Sequence, residues 1–284
     1  MLTYYQRYKN TILNLSLKKI YSHFFLNNIK SEGYYSYLKD LVFKFLQTKY
    51  PNYDQSVFDK KFDNLLSNLG DYNDLTAQTN ELFNPNFDDD LEFHYKYYEK
   101  NIFFRLISYS INTKLIQNNY SNIYNFAINE IKEPLNILEI GGGIPHGFMY
   151  HFWNKGNYFF KNFTYIDAPL LHSDFFKWYC DHFKIPITIN LFKPAKTPKL
   201  DKIKFNFVFA KDVFEHLDSP EILIDYLISN TNDNKTLLCL DLEPKRPSCQ
   251  HLSPDLPILK DRLIKNNFEV IKKFNDVHVW RKVK

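Results

Sequence analysis

The sequence predicts an α/β protein: a mainly helical region over residues 1–133, then a sheet over 134–284 that is parallel except for an antiparallel last strand. Three observations carry this. After Pro134, short apolar runs alternate with helix-like segments, the texture of buried parallel strands joined by crossover helices. Before Pro134, apolar residues recur at spacings of three and four where a pattern is readable. At the end of the chain, 268–274 and 277–281 alternate like two strands joined by a tight Asn275-Asp276 turn. A chain of 284 residues is long enough for either one large domain or two modest ones.

In the helical region, Phe58, Phe62, Leu65, Leu66 and Leu69 share one face between Asp54, a helix start, and Gly70, a stop. A second helix is predicted over 99–117 and a third after Ser121 as N-cap, with a polar loop at 84–90 between the first and second. The strands predicted next are Leu135 to Ile140, Phe163 to Asp167, Pro186 to Asn190, Phe205 to Ala210 and Thr236 to Asp241. Pro145 fits a first helical position with Gly156 as stop, and Ser173 caps a helix carrying Phe176, Tyr179 and Phe183. Asp218-Ser-Pro-Glu and Ser253-Pro-Asp set a cap, a proline and an acid in order before two further helices.

Composition excludes several classes. With 36 Lys and Arg against 32 Asp and Glu, the net charge of +4 argues for neither a nucleic-acid nor a membrane partner. No apolar run reaches the roughly 18 residues of a membrane span, and the N-terminus lacks an apolar signal core. Cys180, Cys239 and Cys249 lie far apart without C-x-x-C spacing, which suits a reducing cytoplasm. A cytoplasmic protein, neither secreted nor membrane-spanning, is expected.

Glycine is scarce, 7 of 284 residues, where about 7% is usual. Four of the seven fall between Gly141 and Gly147. They follow the strand Leu135-Asn-Ile-Leu-Glu-Ile and precede a helix start. Such a turn lets backbone approach a ligand closely, and a helix N-terminus favours an anionic group, so a nucleotide-type ligand is the natural occupant. A dinucleotide fingerprint G-x-G-x-x-G would need a glycine where His146 stands.

What the segment does match is an acid two residues before the first glycine, Glu139-x-Gly141-x-Gly143. Here the sequence resembles the class I S-adenosylmethionine-dependent methyltransferases, and the likeness covers roughly 135–284. The resemblance implies a Rossmann-like sheet and S-adenosylmethionine as cofactor. It puts Glu139, Gly141, Gly142 and Gly143 around the methionine end of that cofactor. Asp167, ending the second strand 24 residues beyond Gly143, would accept the ribose hydroxyls. With Ala168 it forms Ile-Asp-Ala-Pro, similar to the Asp-Leu-Pro of several small-molecule and sugar O-methyltransferases. Phe205-Asn-Phe-Val-Phe-Ala-Lys-Asp-Val-Phe-Glu-His-Leu is similar to the family's stretch at the end of strand four, which implies Lys211 and Asp212 on the cofactor side. Two positions depart from the pattern. Pro145 replaces a small residue, and the acid expected after strand three, which reaches the adenine amine, is Asn190 followed by Leu191.

Methyl transfer from a sulfonium needs alignment and exclusion of water, and a hydroxyl acceptor also needs a base. His216 is the first candidate, since it follows strand four at the carboxyl edge of the sheet. The family's Glu-His-Leu triplet also shapes the pocket and packs its helix. His146, His172 and His251 are in reserve. Asp241 and Glu243 could orient an acceptor and are also ordinary strand-end acids, so no metal site is expected. Lys245-Arg246-Pro247 could meet an acidic substrate or be solvated surface.

The expected activity is methyl transfer to a small-molecule acceptor, by O-methylation of a sugar or metabolite, with the helical region covering the pocket. A non-catalytic methyltransferase-like binding or assembly protein, motivated by Pro145 and Asn190, and an NAD-dependent oxidoreductase stay open.

Overall fold

The computed structural model describes residues 33–60, 120–169, 171–193, 196–200, 202–231, 234–243 and 256–283. The chain divides into two compact units, Met1–Asn84 and Pro85–Lys284. In the first, helix α1 (Gly33–Lys49) buries Leu38, Leu41, Val42, Phe45 and Leu46 along one stripe. A second helix, α2, is described over 55–60. Asp54 starts it as predicted, its Oδ1 accepting from the Ser56 and Val57 amides at 2.6 and 3.1 Å. Phe58 lies fully buried with its ring 5.2 Å from Phe43. The predictions on 62–70, 84–90, 99–117, 245–247, His251 and 253–255, and Cys249, lie outside the described residues.

The second unit is built on a seven-stranded sheet in the order β3-β2-β1-β4-β5-β7-β6. The strands are β1 (Leu135–Ile140), β2 (Phe160–Asp167), β3 (Thr188–Leu191), β4 (Phe207–Ala210), β5 (Leu237–Asp241), β6 (Phe268–Phe274) and β7 (Val277–Lys282). The first five run parallel, and β7 enters antiparallel between β5 and β6. This is the Rossmann-like sheet with antiparallel last strand that the sequence predicts. The order reverses between β1 and β4, which makes the crevice at their carboxyl ends the place where such sheets bind ligands.

One face carries α3 (described over 120–131), α4 (His146–Lys155) and α5 (Leu171–Phe183). Its core is aromatic: the Phe148 ring lies 4.2 Å from Phe163, 5.0 Å from Phe160 and 6.0 Å from Phe176. The opposite face is aliphatic and carries α6 (Pro220–Asn230) and α7 (Pro257–Lys265), where Leu223, Ile224, Leu227, Leu259 and Leu263 meet Leu138, Val208, Leu240 and Trp280. A boundary at 133/134 therefore separates α3 from the sheet on which it packs.

Several elements differ from expectation in their bounds. β2 starts three residues early, at Phe160, where exposed Lys161 and Asn162 interrupt the apolar run and the Asn162 side chain bonds Asn136 at 2.7 Å. Ser173 is no cap: α5 begins two residues before it, and its hydroxyl donates to the Ala168 carbonyl at 2.8 Å. Ser121 likewise stands inside α3 rather than before it. Pro145 precedes α4 as its N-cap residue instead of opening the first turn, and Gly156 ends the helix at φ +63° as expected. Ser219 and Pro220 start α6 in the predicted order, while Asp218 turns aside to the preceding loop. Among the described residues, five non-glycine ones, Lys132, Lys184, Asp212, Asn267 and Asn275, adopt left-handed backbone.

Candidate functional site

The glycine turn stands at the carboxyl end of β1, between the ends of β2 and β4. In register, Ile140 pairs with Ile166 on one side and Ala210 on the other. Gly141 and Gly143 take φ of +62° and +58°, which only glycine adopts without strain. A side chain on Gly141 would also collide with the Val213 methyls. Under Gly142 lies Glu139, whose Oε1 would be 2.5 Å from an added Cβ. The scarce glycines are thus held by close packing as well as by backbone angle.

Glu139 is buried, and its Oε2 accepts from the Tyr124 hydroxyl of α3 at 2.7 Å. Burial raises its pKa to about 8; the charge of Asp167 adds to this and the Tyr124 hydrogen bond opposes it. Burial is also the main reason the Tyr124 hydroxyl is held well above its usual range.

Asp167 ends β2 and is buried. Its Oδ2 accepts from the Gly143 amide at 2.9 Å, and its Oδ1 from the Ala168 amide at 2.7 Å. The Tyr165 hydroxyl lies 2.5 Å from both Asp167 Oδ2 and the Gly143 carbonyl, with one proton to share between them. His172 Nε2 stands 3.5 Å from the same Oδ2. One carboxylate therefore fastens the glycine turn to the end of β2. Of the roughly four lone-pair sites on a carboxylate, three are engaged by this network.

Asn190 and Leu191 end β3, with Leu191 directly opposite Asp167 in register and 47% exposed. After β4, Lys211 and Asp212 form an ion pair at 2.9 Å, and the Lys211 ammonium lies 5.8 Å from the centre of the Tyr120 ring. His216 closes a short 3-10 turn (Phe214–His216), half-buried, its amide bonded to the Val213 carbonyl at 2.9 Å. Val213 thus touches the glycine turn with its side chain and His216 with its backbone. Beyond it, Asp218 Oδ1 accepts from the Thr197 amide and hydroxyl, both at 2.9 Å, and its Oδ2 from Lys196 at 2.9 Å. The loops after β3 and β4 are so clasped together.

All the predicted cofactor-side residues, Glu139, Gly141, Gly142, Gly143, Asp167, Ala168, Asn190, Leu191, Lys211 and Asp212, fall along this one edge of the sheet. The first six are joined by contact. Asp241 is buried at the end of β5, and Glu243 is engaged by Lys260 at 2.9 Å and His278 at 3.0 Å. Hydrogen bonding from Lys260 holds the Glu243 carboxyl below its usual range, and burial holds the His278 imidazole below its own. His146 opens α4 and is buried. Sequence reasoning passed over Tyr124, Tyr165, His172's contact with Asp167, and Val213. Tyr165 alone carried a signal, two residues before Asp167 and so on its face of β2.

No protein-family model matches the chain, and no curated protein matches it significantly. Solved structures are. An O-methyltransferase family protein from Burkholderia thailandensis matches with a TM-score of 0.48 at 9% identity, over 66% of this chain and 62% of that one. RosA, a riboflavin-derivative dimethyltransferase from Streptomyces davawensis, matches with 0.44 at 11%, over 66% and 62%. The cyclase SpnF matches with 0.39 at 11%, over 54% of this chain and 59% of its own. The chain spans less than two thirds of the length of each. Among the described residues no helix is long and apolar enough to cross a membrane.

Proposed function

We propose that the chain is an S-adenosylmethionine-dependent methyltransferase acting on an oxygen of a small molecule, a sugar or another metabolite, in the cytoplasm. The observation that carries this is the fastening of the left-handed glycine turn between Glu139 and Asp167 at the β1/β4 switch point. The residues present fit that cofactor. A turn without side chains offers backbone to the methionine end, no side chain caps the first turn of α4, and Asp167 and Asn190 supply acceptors along the adjoining strand ends. When bound, the sulfonium supplies an already activated methyl group.

The chain's own residues then have separate tasks. Glu139 shapes the turn from below, and Asp167 holds it to β2 with one acceptor site remaining for a hydroxyl. Leu191 offers apolar surface opposite Asp167. His216 would take the acceptor's proton, and the 3-10 turn fixes it through Val213. Titration calorimetry with S-adenosylhomocysteine tests the first step. Binding in the millimolar range or tighter, weakened in Asp167→Ala, is expected; no binding by the parent chain overturns the reading. His216→Ala should lower turnover far more than cofactor affinity; equal loss of both reassigns His216 to packing.

The internal engagement of Asp167 by three donors favours a second reading, a methyltransferase-like binding protein that does not turn over. Cofactor binding without methyl transfer to any member of a broad panel of hydroxyl acceptors would support it.

A further inference from the structure

Tyr124 belongs to α3, ahead of the stretch in which the sequence resembles methyltransferases, and is fully buried. Three neighbours fix its ring. Phe207 of β4 meets it edge-on at 4.9 Å, and His151 of α4 stacks on it at 5.6 Å. The Gly147 backbone lies so near that an added Cβ would stand 2.7 Å from two ring carbons. His151 Nε2 also lies 3.3 Å from the Ser121 carbonyl, tying α4 back to α3. A phenylalanine ring would satisfy all of this packing. What the hydroxyl adds is one bond, to Glu139 Oε2, while Oε1 of the same carboxyl lies under Gly142.

A buried polar pair of this kind gives little net stability over a well-packed apolar pair. Its effect is directional: it leaves the carboxyl group one orientation beneath the turn. We infer that Tyr124 is a positioning residue of the nucleoside site, its hydroxyl fixing the Glu139 carboxyl group beneath Gly142 so that the helix ahead of the sheet sets the shape of the glycine turn. The inference rests on the function proposed above. Asp167 is the other charged group bearing on Glu139, and its carboxylate reaches the same turn at Gly143.

The test is calorimetry of S-adenosylhomocysteine binding to the full chain between pH 6 and 9, for the parent and Tyr124→Phe. The variant should bind about ten-fold more weakly, the effect of one lost hydrogen bond to a buried carboxyl group. Its pH midpoint for binding should also move upward, because the Tyr124 bond holds the Glu139 pKa down. A purely structural role would change the melting temperature and leave that midpoint in place. Parental affinity and midpoint in a folded Tyr124→Phe overturn the inference alone. Absence of binding by the parent overturns the proposed function and this inference with it. Should Tyr124→Phe not fold, Gly147→Ala displaces the ring from its other side; weaker binding supports the inference, and parental affinity overturns it.

Discussion

Glu139 makes stability fall with pH in a window that one substitution isolates. Burial raises its carboxyl to about 8, against 4.5 in an open chain, so between those values the folded protein holds a proton that the unfolded chain has released. The unfolded state binds fewer protons there, and stability drops by about 1.4 kcal/mol per pH unit. Below about 6.5 the effect is masked by His151, whose imidazole burial lowers to about 4. There the unfolded chain takes up a proton on this imidazole that the folded chain lacks, and the two opposite slopes cancel. From pH 6.5 to 8 Glu139 acts without that opposition, and the loss amounts to about 2 kcal/mol, a sizeable part of a typical 5–15 kcal/mol.

Glu139→Gln keeps the size and the acceptor for Tyr124 and has no proton to lose. Urea denaturation of parent and variant at pH 6.5, 7, 7.5 and 8 gives the two curves. Their separation should grow by about 2 kcal/mol in favour of the variant. Curves that stay parallel would refute the claim that this carboxyl is protonated inside the fold.

Other perturbations have equally definite outcomes. Gly141→Ala forces a side chain into left-handed backbone and onto Val213, and should cost roughly 1–3 kcal/mol; in a Val213→Ala background the loss, read by thermal melts, should shrink. His151→Leu should extend the fall of stability with pH down from 6.5 to about 4.5, since the folded protein keeps this imidazole neutral where the open chain protonates it and its removal leaves Glu139 unopposed. Asp218→Ala should change stability by less than about 1 kcal/mol, as for an exposed pair, yet speed proteolysis at 196–200, whose clasp it removes. In a Cys249→Ser protein, a thiol reagent should find Cys180 and Cys239 unreactive until unfolding, because both are buried and burial raises both thiols.

The sheet was legible because its central strands β1, β4 and β5 are dense apolar runs and its last two alternate about a tight turn. β1 and β6 fell where expected, as apolar period and turn chemistry agree there. The first residues of β2 escape the apolar pattern because Lys161 and Asn162 are polar and exposed, ahead of the point where β3 begins to pair at Thr164. Glu139, the glycines and Asp167 could be read from linear spacing, since a parallel sheet brings successive strand ends to one edge. Tyr124 could not. Its ring obeys the same aromatic periodicity as its core neighbours, and only the third dimension shows that its hydroxyl ends on a carboxyl 15 residues away. The engagement of Asp167 by Tyr165 and Gly143 is equally invisible in one dimension, because it depends on a side-chain rotamer and a backbone angle.

A chain this sparing with glycine has assigned left-handed backbone to residues that pay for it. Lys132 follows α3 and Lys184 follows α5, each at φ above +50°, where helices commonly end on glycine. For a lysine that conformation costs about 1 kcal/mol relative to glycine. Lys132→Gly and Lys184→Gly, both distant from the strand ends that form the site, are therefore the first substitutions to try in engineering a hardier version of this protein. A gain of a few degrees in melting temperature from each is the natural scale for a domain of this size.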